Sequence, residues 1–287
     1  MHAMHKEAKP DQARRIRRAI EKAVMRRDRY TNAHVAELTK ALKTASDDVA
    51  KQIRRFEEKV ALKPWQEMRL TILKDLEKEI DGVAAELQTN WKLGIRASAE
   101  RSLKLGIEDG IGQLEAMEVP NYKDLTDVNR NALITRTFST IDRAAVDFLA
   151  NYEVQLLGSV STELASGIKG AITNGVLTGK SIPEVARDIG KVVDDPEEFK
   201  TAGKTIFKTV QQRATLIART ETLRAHNEGA KVFYREVGVK KVKWSTAHDE
   251  QACPECAPLD GRVFELAGFD GPPRHPNCKC TISAWMD

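Results

Sequence analysis

The first 252 residues of this chain contain no cysteine, and no apolar run approaches the roughly 18 residues that a membrane span needs. The second absence argues against a helical membrane protein, so no membrane partner is expected. Residues Met1 to Pro10 are polar and lack the apolar core of a signal peptide. The expected compartment is therefore a reducing cytoplasm, where disulfides are a poor default for the cysteines that occur later. Aromatic residues make up only 6% of the chain, against abundant Ala, Leu, Lys, Glu and Arg, which is a helix-rich profile. Apolar residues at 41%, recurring with clear periods, exclude a disordered composition.

What is present begins with helical periodicity. Val35, Leu38, Leu42, Ala45 and Val49 step by three and four, and Ile53, Phe56 and Val60 continue the stripe after a one-residue shift. Charged residues such as Glu37, Lys40, Lys43 and Asp47 fill the positions between, as in a heptad seam. Pro64 marks a helix end. A second seam runs through Leu73, Leu76, Ile80, Val83, Leu87 and Trp91. Two long amphipathic helices with a short joint pack most simply as an antiparallel hairpin. Gly94, Gly106, Gly110 and Gly112 are expected to loosen the helical pattern, and Pro120-Asn121 to close the region.

A further helical region is expected over about Asp127 to Val193, with Ile141, Ala145, Phe148, Tyr152 and Leu156 on one face. Thr178 to Glu184 reads as a loop feeding a helix, with Ser181 as N-cap and Pro183 and Glu184 in the first turn. Gly179-Lys180-Ser181 is not a phosphate loop, because Asn174 stands where that motif needs its first glycine and no buried strand precedes it. Asp194-Asp195-Pro196 breaks the chain, and Phe207 to about Val237 forms a last helix that Gly238 ends. The composition then changes. Val239 to Trp244 and Arg262 to Leu266 read as strands, with Asp260-Gly261 as a hairpin turn, and Cys280 to Trp285 as another. The expected layout is a helical hairpin with a basic arm over residues 1–120, a helical middle domain over 121–200, and a small α+β domain over 201–287.

Charge is concentrated at the start. Residues 1–30 hold ten Lys/Arg and four acids, so this arm is +6 on a chain whose net charge is +4. Arg14, Arg15, Arg17, Arg18, Lys22, Arg26, Arg27 and Arg29 are candidate contacts to nucleic acid or to an acidic protein surface. No aromatic residue is interleaved before Tyr30, so contacts to DNA would be to phosphates and not sequence-specific.

All four cysteines fall late: Cys253-Pro-Glu-Cys256, then 21 residues, then Cys278-Lys-Cys280. Buried structural cysteines would scatter through the helical cores, whereas this clustering suits a metal. Two thiolates on a Cys-x2-Cys turn reach one ion, and tetrahedral zinc takes four such ligands. His275 adds a fifth candidate, so a Cys₄ set competes with a Cys₃His set. With little apolar core in such a small module, the ion would contribute much of its folding free energy. The expected cofactor is one structural zinc. His248 and Asp249 precede the cluster, and a polar row of Arg219, Glu221 and Asn227 lies on the last helix, where it would anchor that helix to the module.

These residues together resemble the C-terminal domain of phage Mu F-like head morphogenesis proteins. The resemblance rests on Ile217-Ala-Arg219-Thr-Glu221-Thr, Asn227, Gly238-Val, Val242-Lys-Trp244 and Ala247-His-Asp249. It continues through Cys253 and Cys256, Leu259-Asp-Gly261-Arg-Val-Phe264 and His275-Pro-Asn-Cys278-Lys-Cys280. Lys279 stands where Arg is usual, which keeps the charge. The resemblance implies a minor head protein of a tailed phage or prophage. It implies partners in the portal and the capsid or scaffolding proteins, a place in the virion after assembly in the host cytoplasm, and a role in DNA packaging or delivery. The rival expectation is a zinc-containing enzyme. It would be nuclease-like with His275 or His248, or transferase-like with Arg219, Glu221 and Asp249. Four protein ligands close a tetrahedral site, whereas a catalytic zinc keeps one position open. Five available donors favour closure, and a non-enzymatic protein is expected.

Overall fold

The computed structural model describes residues 10–60, 67–177, 184, 210–246 and 253–286. Expectations at Pro64, Thr178–Pro183, Asp194–Pro196, Phe207, His248 and Asp249 lie outside them, as do the side chains of Val49, Ile53, Phe56, Val60, Leu73, Leu76 and Ile80. The order of elements is α1 (Pro10–Val60), α2 (Glu67–Ala116), α3 (Asp127–Thr140), α4 (Arg143–Leu177), α5 (Val210–Glu236), β1 (Lys241–Ser245), a 3₁₀ turn (Ala257–Leu259), β2 (Val263–Glu265) and β3 (Thr281–Trp285). The protein is mostly helical, with a three-stranded sheet at its C-terminal end, as the composition implies.

Contacts divide the chain into two compact units. One consists of Val35–Ile95 and Asn151–Ile217. There the heptad seams bury Leu38, Leu42 and Ala45 on α1 and Leu87 and Trp91 on α2. Lys169 pairs with Asp81 at 2.7 Å. On α4 the buried positions are Glu153, Leu157, Ala165 and Ile168.

The other unit consists of Met1–His34, Arg96–Ala150 and Ala218–Asp287. Its core joins Ile107, Ile111 and Leu114 of α2, Ala230, Phe233 and Tyr234 of α5, and Val242, Ile282 and Ala284 of the sheet. Helix α2 runs unbroken through its glycines, contrary to the expectation that they loosen it. Gly106 and Gly229 instead mark where α2 and α5 touch backbone to backbone. A Cβ on Gly106 would lie 1.9 Å from the His226 carbonyl oxygen, and one on Gly229 would lie 2.1 Å from that of Leu103. Only glycine permits so close a crossing.

The helical region expected from Asp127 forms, as two helices. It breaks at Ile141-Asp142, and the Asp142 carboxylate accepts the Ala144 N–H at 2.9 Å, an N-cap that starts α4. The face expected from Ile141 through Leu156 is largely solvent-facing, with Phe148 70% exposed, while Val146 and Ala150 are buried.

The sheet has the order β2-β1-β3, all antiparallel. Gly238, at φ +80°, ends α5 in the left-handed conformation that a C-cap glycine supplies. Val242 and Trp244 alternate inward while Lys241, Lys243 and Ser245 are half-buried. As an edge strand β3 would leave backbone groups unpaired, and Gln113 of α2 meets that need. Its Oε1 accepts the Ala284 N–H at 3.2 Å and the Tyr234 hydroxyl at 2.7 Å, and its Nε2 donates to the Ile282 carbonyl at 3.5 Å.

Candidate metal centre

β1 and β2 are separated by 17 residues, too many for a tight hairpin turn, and of the connection 246 and 253–262 are described. Cys253 and Cys256 lie in the second part, and Thr246 N–H donates to the Asp260 carboxylate at 2.8 Å. Gly261, at φ +73°, then turns the chain into β2, donating its N–H to the Trp244 carbonyl at 2.9 Å. Cys253 to Cys256 is a tight turn, with Cys256 N–H to Cys253 O at 3.0 Å and to Cys253 Sγ at 3.3 Å. Cys278 and Cys280 lie just before β3, whose Thr281 faces Ser245 at the end of β1. The two cysteine pairs therefore meet at the same end of the sheet.

There the donors form two overlapping triads, Cys253–Cys256–His275 and Cys256–Cys278–Cys280, each with its ligand atoms within 4.8 Å of one another. Cys256 belongs to both. Its Sγ lies 4.0 Å from Cys278 Sγ and 3.3 Å from His275 Nε2, and Cys253 Sγ lies 2.9 Å from the same nitrogen. Metal–ligand bonds of about 2.0–2.3 Å at tetrahedral angles give ligand–ligand edges of roughly 3.3–3.8 Å. A disulfide would require about 2.05 Å, and all four thiols are free. Each triad could hold a metal ion, and Cys256 joins the two.

His275 is prepared for such a role. Its Nδ1 lies 2.9 Å from the Pro276 carbonyl, which only accepts, so Nδ1 carries an N–H and the neutral ring would turn its Nε2 lone pair to the thiols. Metal-binding histidines are typically fixed in this way.

The electrostatics point the same way. Cys278 is lowered to about 5, chiefly by a hydrogen bond from the Cys280 thiol that outweighs burial. The same contact, followed by burial, raises Cys280. Burial, with Cys253 competing for the charge, pushes Cys256 up to about 12. Burial would raise Cys253, but hydrogen bonds from Cys256 and the Glu255 backbone bring it below its ordinary value. Burial would lower His275, yet the Pro276 carbonyl and the Cys278 and Cys253 thiolates raise it. Thiols this close cannot all ionise on their own, and a divalent cation would relieve the conflict.

Three groups hold the cluster against α5. Thr220 accepts the Asn277 N–H at 3.0 Å, where Asn277 adopts φ +60°. Asn227 is fully buried, and its Nδ2 donates to the carbonyls of Pro272 at 3.3 Å and Cys280 at 3.4 Å. Its Oδ1 accepts the Thr281 hydroxyl at 3.3 Å. Leu223 and Trp244 pack on the cysteines, with Phe264 and Phe269 stacked 5.0 Å apart beside Trp244. Glu221 is buried and raised by desolvation, partly offset by Arg224, whose Nε donates to it at 2.9 Å. Arg219 is exposed. Thr220 was not singled out by sequence reasoning, although it sits between two residues that were.

The basic arm forms the start of α1. Arg15 pairs with Glu118 at 2.6 Å, and Arg26 pairs with both Glu108 and Asp109. Arg27 is buried against Asp28, and Arg17 approaches Glu21 at 4.0 Å. Arg14, Arg18, Lys22 and Arg29 are exposed. Behind Arg26, Asp109 meets His226 Nε2 at 2.7 Å, with both residues buried.

A small three-stranded sheet module with a Cys/His cluster that could hold a metal ion, on a helical body, is the class that this geometry defines. Residues 166–283 match the model of the family described as Phage Mu protein F like protein, and that family points to phage head morphogenesis. An uncharacterized protein of Haemophilus influenzae is 25% identical over 185 residues, which cover 63% of this chain. The chain spans 38% of that relative's length. No solved structure matches. No described helix is long and apolar enough to cross a membrane.

Proposed function

We propose that this protein is a minor head protein of a tailed phage or prophage. In this reading it acts in procapsid assembly at the portal and contacts packaged DNA without sequence preference. The observation that carries the reading is the match of residues 166–283 to the Mu F-like family. The portal and the capsid or scaffolding proteins are its partners, and the virion is its final location. Co-expression with the portal and capsid proteins of the neighbouring genes tests this. Co-purification with the portal supports the reading, and free chain beside assembled portal and capsid contradicts it.

Within that role the C-terminal domain is held by one structural zinc. Cys253, Cys256, Cys278 and His275 supply its four ligands, and Cys280 remains the thiol that hydrogen-bonds Cys278. What supports His275 is the Nδ1 contact to Pro276, which leaves Nε2 3.3 Å from Cys256 and 2.9 Å from Cys253. The rival Cys₄ set exchanges His275 for Cys280. Cobalt substitution distinguishes them: Cys280→Ser keeps the thiolate-to-cobalt absorption of three sulfurs and His275→Ala loses the ion, whereas the reverse outcome identifies Cys₄.

A further inference from the structure

The eight cations from Arg14 to Arg29 divide evenly into two sets. Arg15, Arg17, Arg26 and Arg27 each face an acid: Arg15 takes Glu118 and Asp11, Arg17 takes Glu21, Arg26 takes Glu108 and Asp109, and Arg27 takes Asp28. These pairs engage every acid that α1 itself contributes between Asp11 and Arg29. Arg14, Arg18, Lys22 and Arg29 are exposed and make no ion pair among the described residues.

The second set is also one line in space. At about 100° per residue, positions 14, 18, 22 and 29 fall within roughly 80° of each other around α1. At about 1.5 Å per residue they extend over roughly 22 Å. The only large apolar side chain on this line is Met25, which is 63% exposed. A protein partner would need a buried apolar or aromatic anchor at the centre of its contact. A single strand would need aromatic rings to stack its bases. This face offers the single Met25 and no aromatic ring, and a row of charges on a rigid rod matches a duplex phosphate backbone better than either.

The cleft of about 940 Å³ beside α1 does not compete for that ligand. Seven acids, Glu21 and Glu108 among them, line it against six cations, two of which, Arg18 and Lys22, belong to the row, so the cleft as a whole is no anion site.

We propose that Arg14, Arg18, Lys22 and Arg29 form a phosphate-tracking stripe for double-stranded DNA, while Arg15, Arg17, Arg26 and Arg27 serve the fold. The assignment rests on the DNA-contacting role proposed above and narrows it to four residues. Four phosphate contacts give a log–log salt slope near −3.6, which is about a 150-fold loss of affinity between roughly 50 and 200 mM salt.

The test titrates the full-length protein against a fluorescent random-sequence duplex over that salt range. The quadruple variant R14Q/R18Q/K22Q/R29Q is compared with R15Q/R26Q and with the charge-preserving R14K/R18K/R29K. The expected result is a slope flattened by about 3.6 in the quadruple variant, with both other variants within about one unit of the wild type. R15Q/R26Q melts lower, because it breaks pairs to α2. A quadruple variant that keeps the wild-type slope overturns the stripe and leaves the DNA role standing. Should the quadruple variant prove misfolded, a wild-type slope shallower than −3 overturns the stripe by itself. Wild-type protein that does not bind the duplex at 50 mM salt overturns both the stripe and the DNA role.

Discussion

The cysteine module and the arginine arm are both clusters in sequence, yet only one is a cluster in space. Cys253, Cys256, His275, Cys278 and Cys280 converge from two loops onto one end of a sheet. The arm's cations sit on a single helix and diverge, half turned to acids and half to solvent. The difference follows from the backbone. Turns at Cys253–Cys256 and at Asn277 aim side chains inward, whereas a helix spreads successive residues through about 100° each. Converging donors specify one ligand, while diverging ones serve a fold and a surface separately.

Breaking the converging cluster gives the largest expected effect. Cys256 belongs to both triads, so Cys256→Ser removes the metal whichever ligand set holds it. Apparent metal-binding energies in small zinc domains reach about 10 kcal/mol or more, so the module unfolds. Loss of near-ultraviolet signal from buried Trp244, with loss of bound metal, is the readout. Retained metal and a retained Trp244 signal would contradict the account.

Acid weakens the same site. Cys278 has a folded value of about 5, below its ordinary value of 9. A depressed group contributes stability that is complete above its unfolded value and is lost as pH falls through the folded one. Cys256 and Cys280 are raised, so metal binding must displace their protons or those of their neighbours. Metal retention measured after dialysis is therefore expected to fall steeply from pH 7 to pH 5. Equal retention at both values would show that the thiols are not the ligands.

Smaller effects belong to what supports the cluster and the helices. Asn227→Ala leaves the buried Cys280 and Pro272 carbonyls and the Thr281 hydroxyl without that partner, which costs about 2–4 kcal/mol in urea unfolding. Gly106→Ala puts a methyl into the His226 carbonyl, and neither helix backbone yields easily, so about 3 kcal/mol is expected. Arg15→Ala breaks a pair that is half-exposed on both sides and screened by solvent, so the smallest loss of stability is expected. An Arg15 effect as large as that of Asn227 would erase the distinction between the surface of the arm and the interior of the module.

The sequence made the module legible because its signals are local. Cys-x2-Cys, Asp260-Gly261, Gly238 and the alternation around Val242 and Trp244 each act within a few residues, and the sheet forms where they indicate. The seams of α1 and α2 were legible from their three-four spacing at Leu38, Leu42, Ala45, Leu87 and Trp91. The α3–α4 break was missed because Asp142 follows a Ser-Thr-Ile run that reads as continuing helix, although an aspartate there is an N-cap signal. Gly106 and Gly229 were illegible in another sense. Their reason is a partner helix more than 100 residues away, not the local backbone. The division of the arginines was hidden for the same reason, since Glu108, Asp109 and Glu118 lie 80 to 100 residues beyond Arg15 and Arg26.

The central claim is that a metal ion joins the two cysteine pairs, and elemental analysis of the full-length protein purified without chelator tests it most directly. The account predicts about one zinc per chain, lost together with the Trp244 signal when Cys256 is replaced. Protein that is folded, with Trp244 in its buried environment and no bound metal, would contradict it.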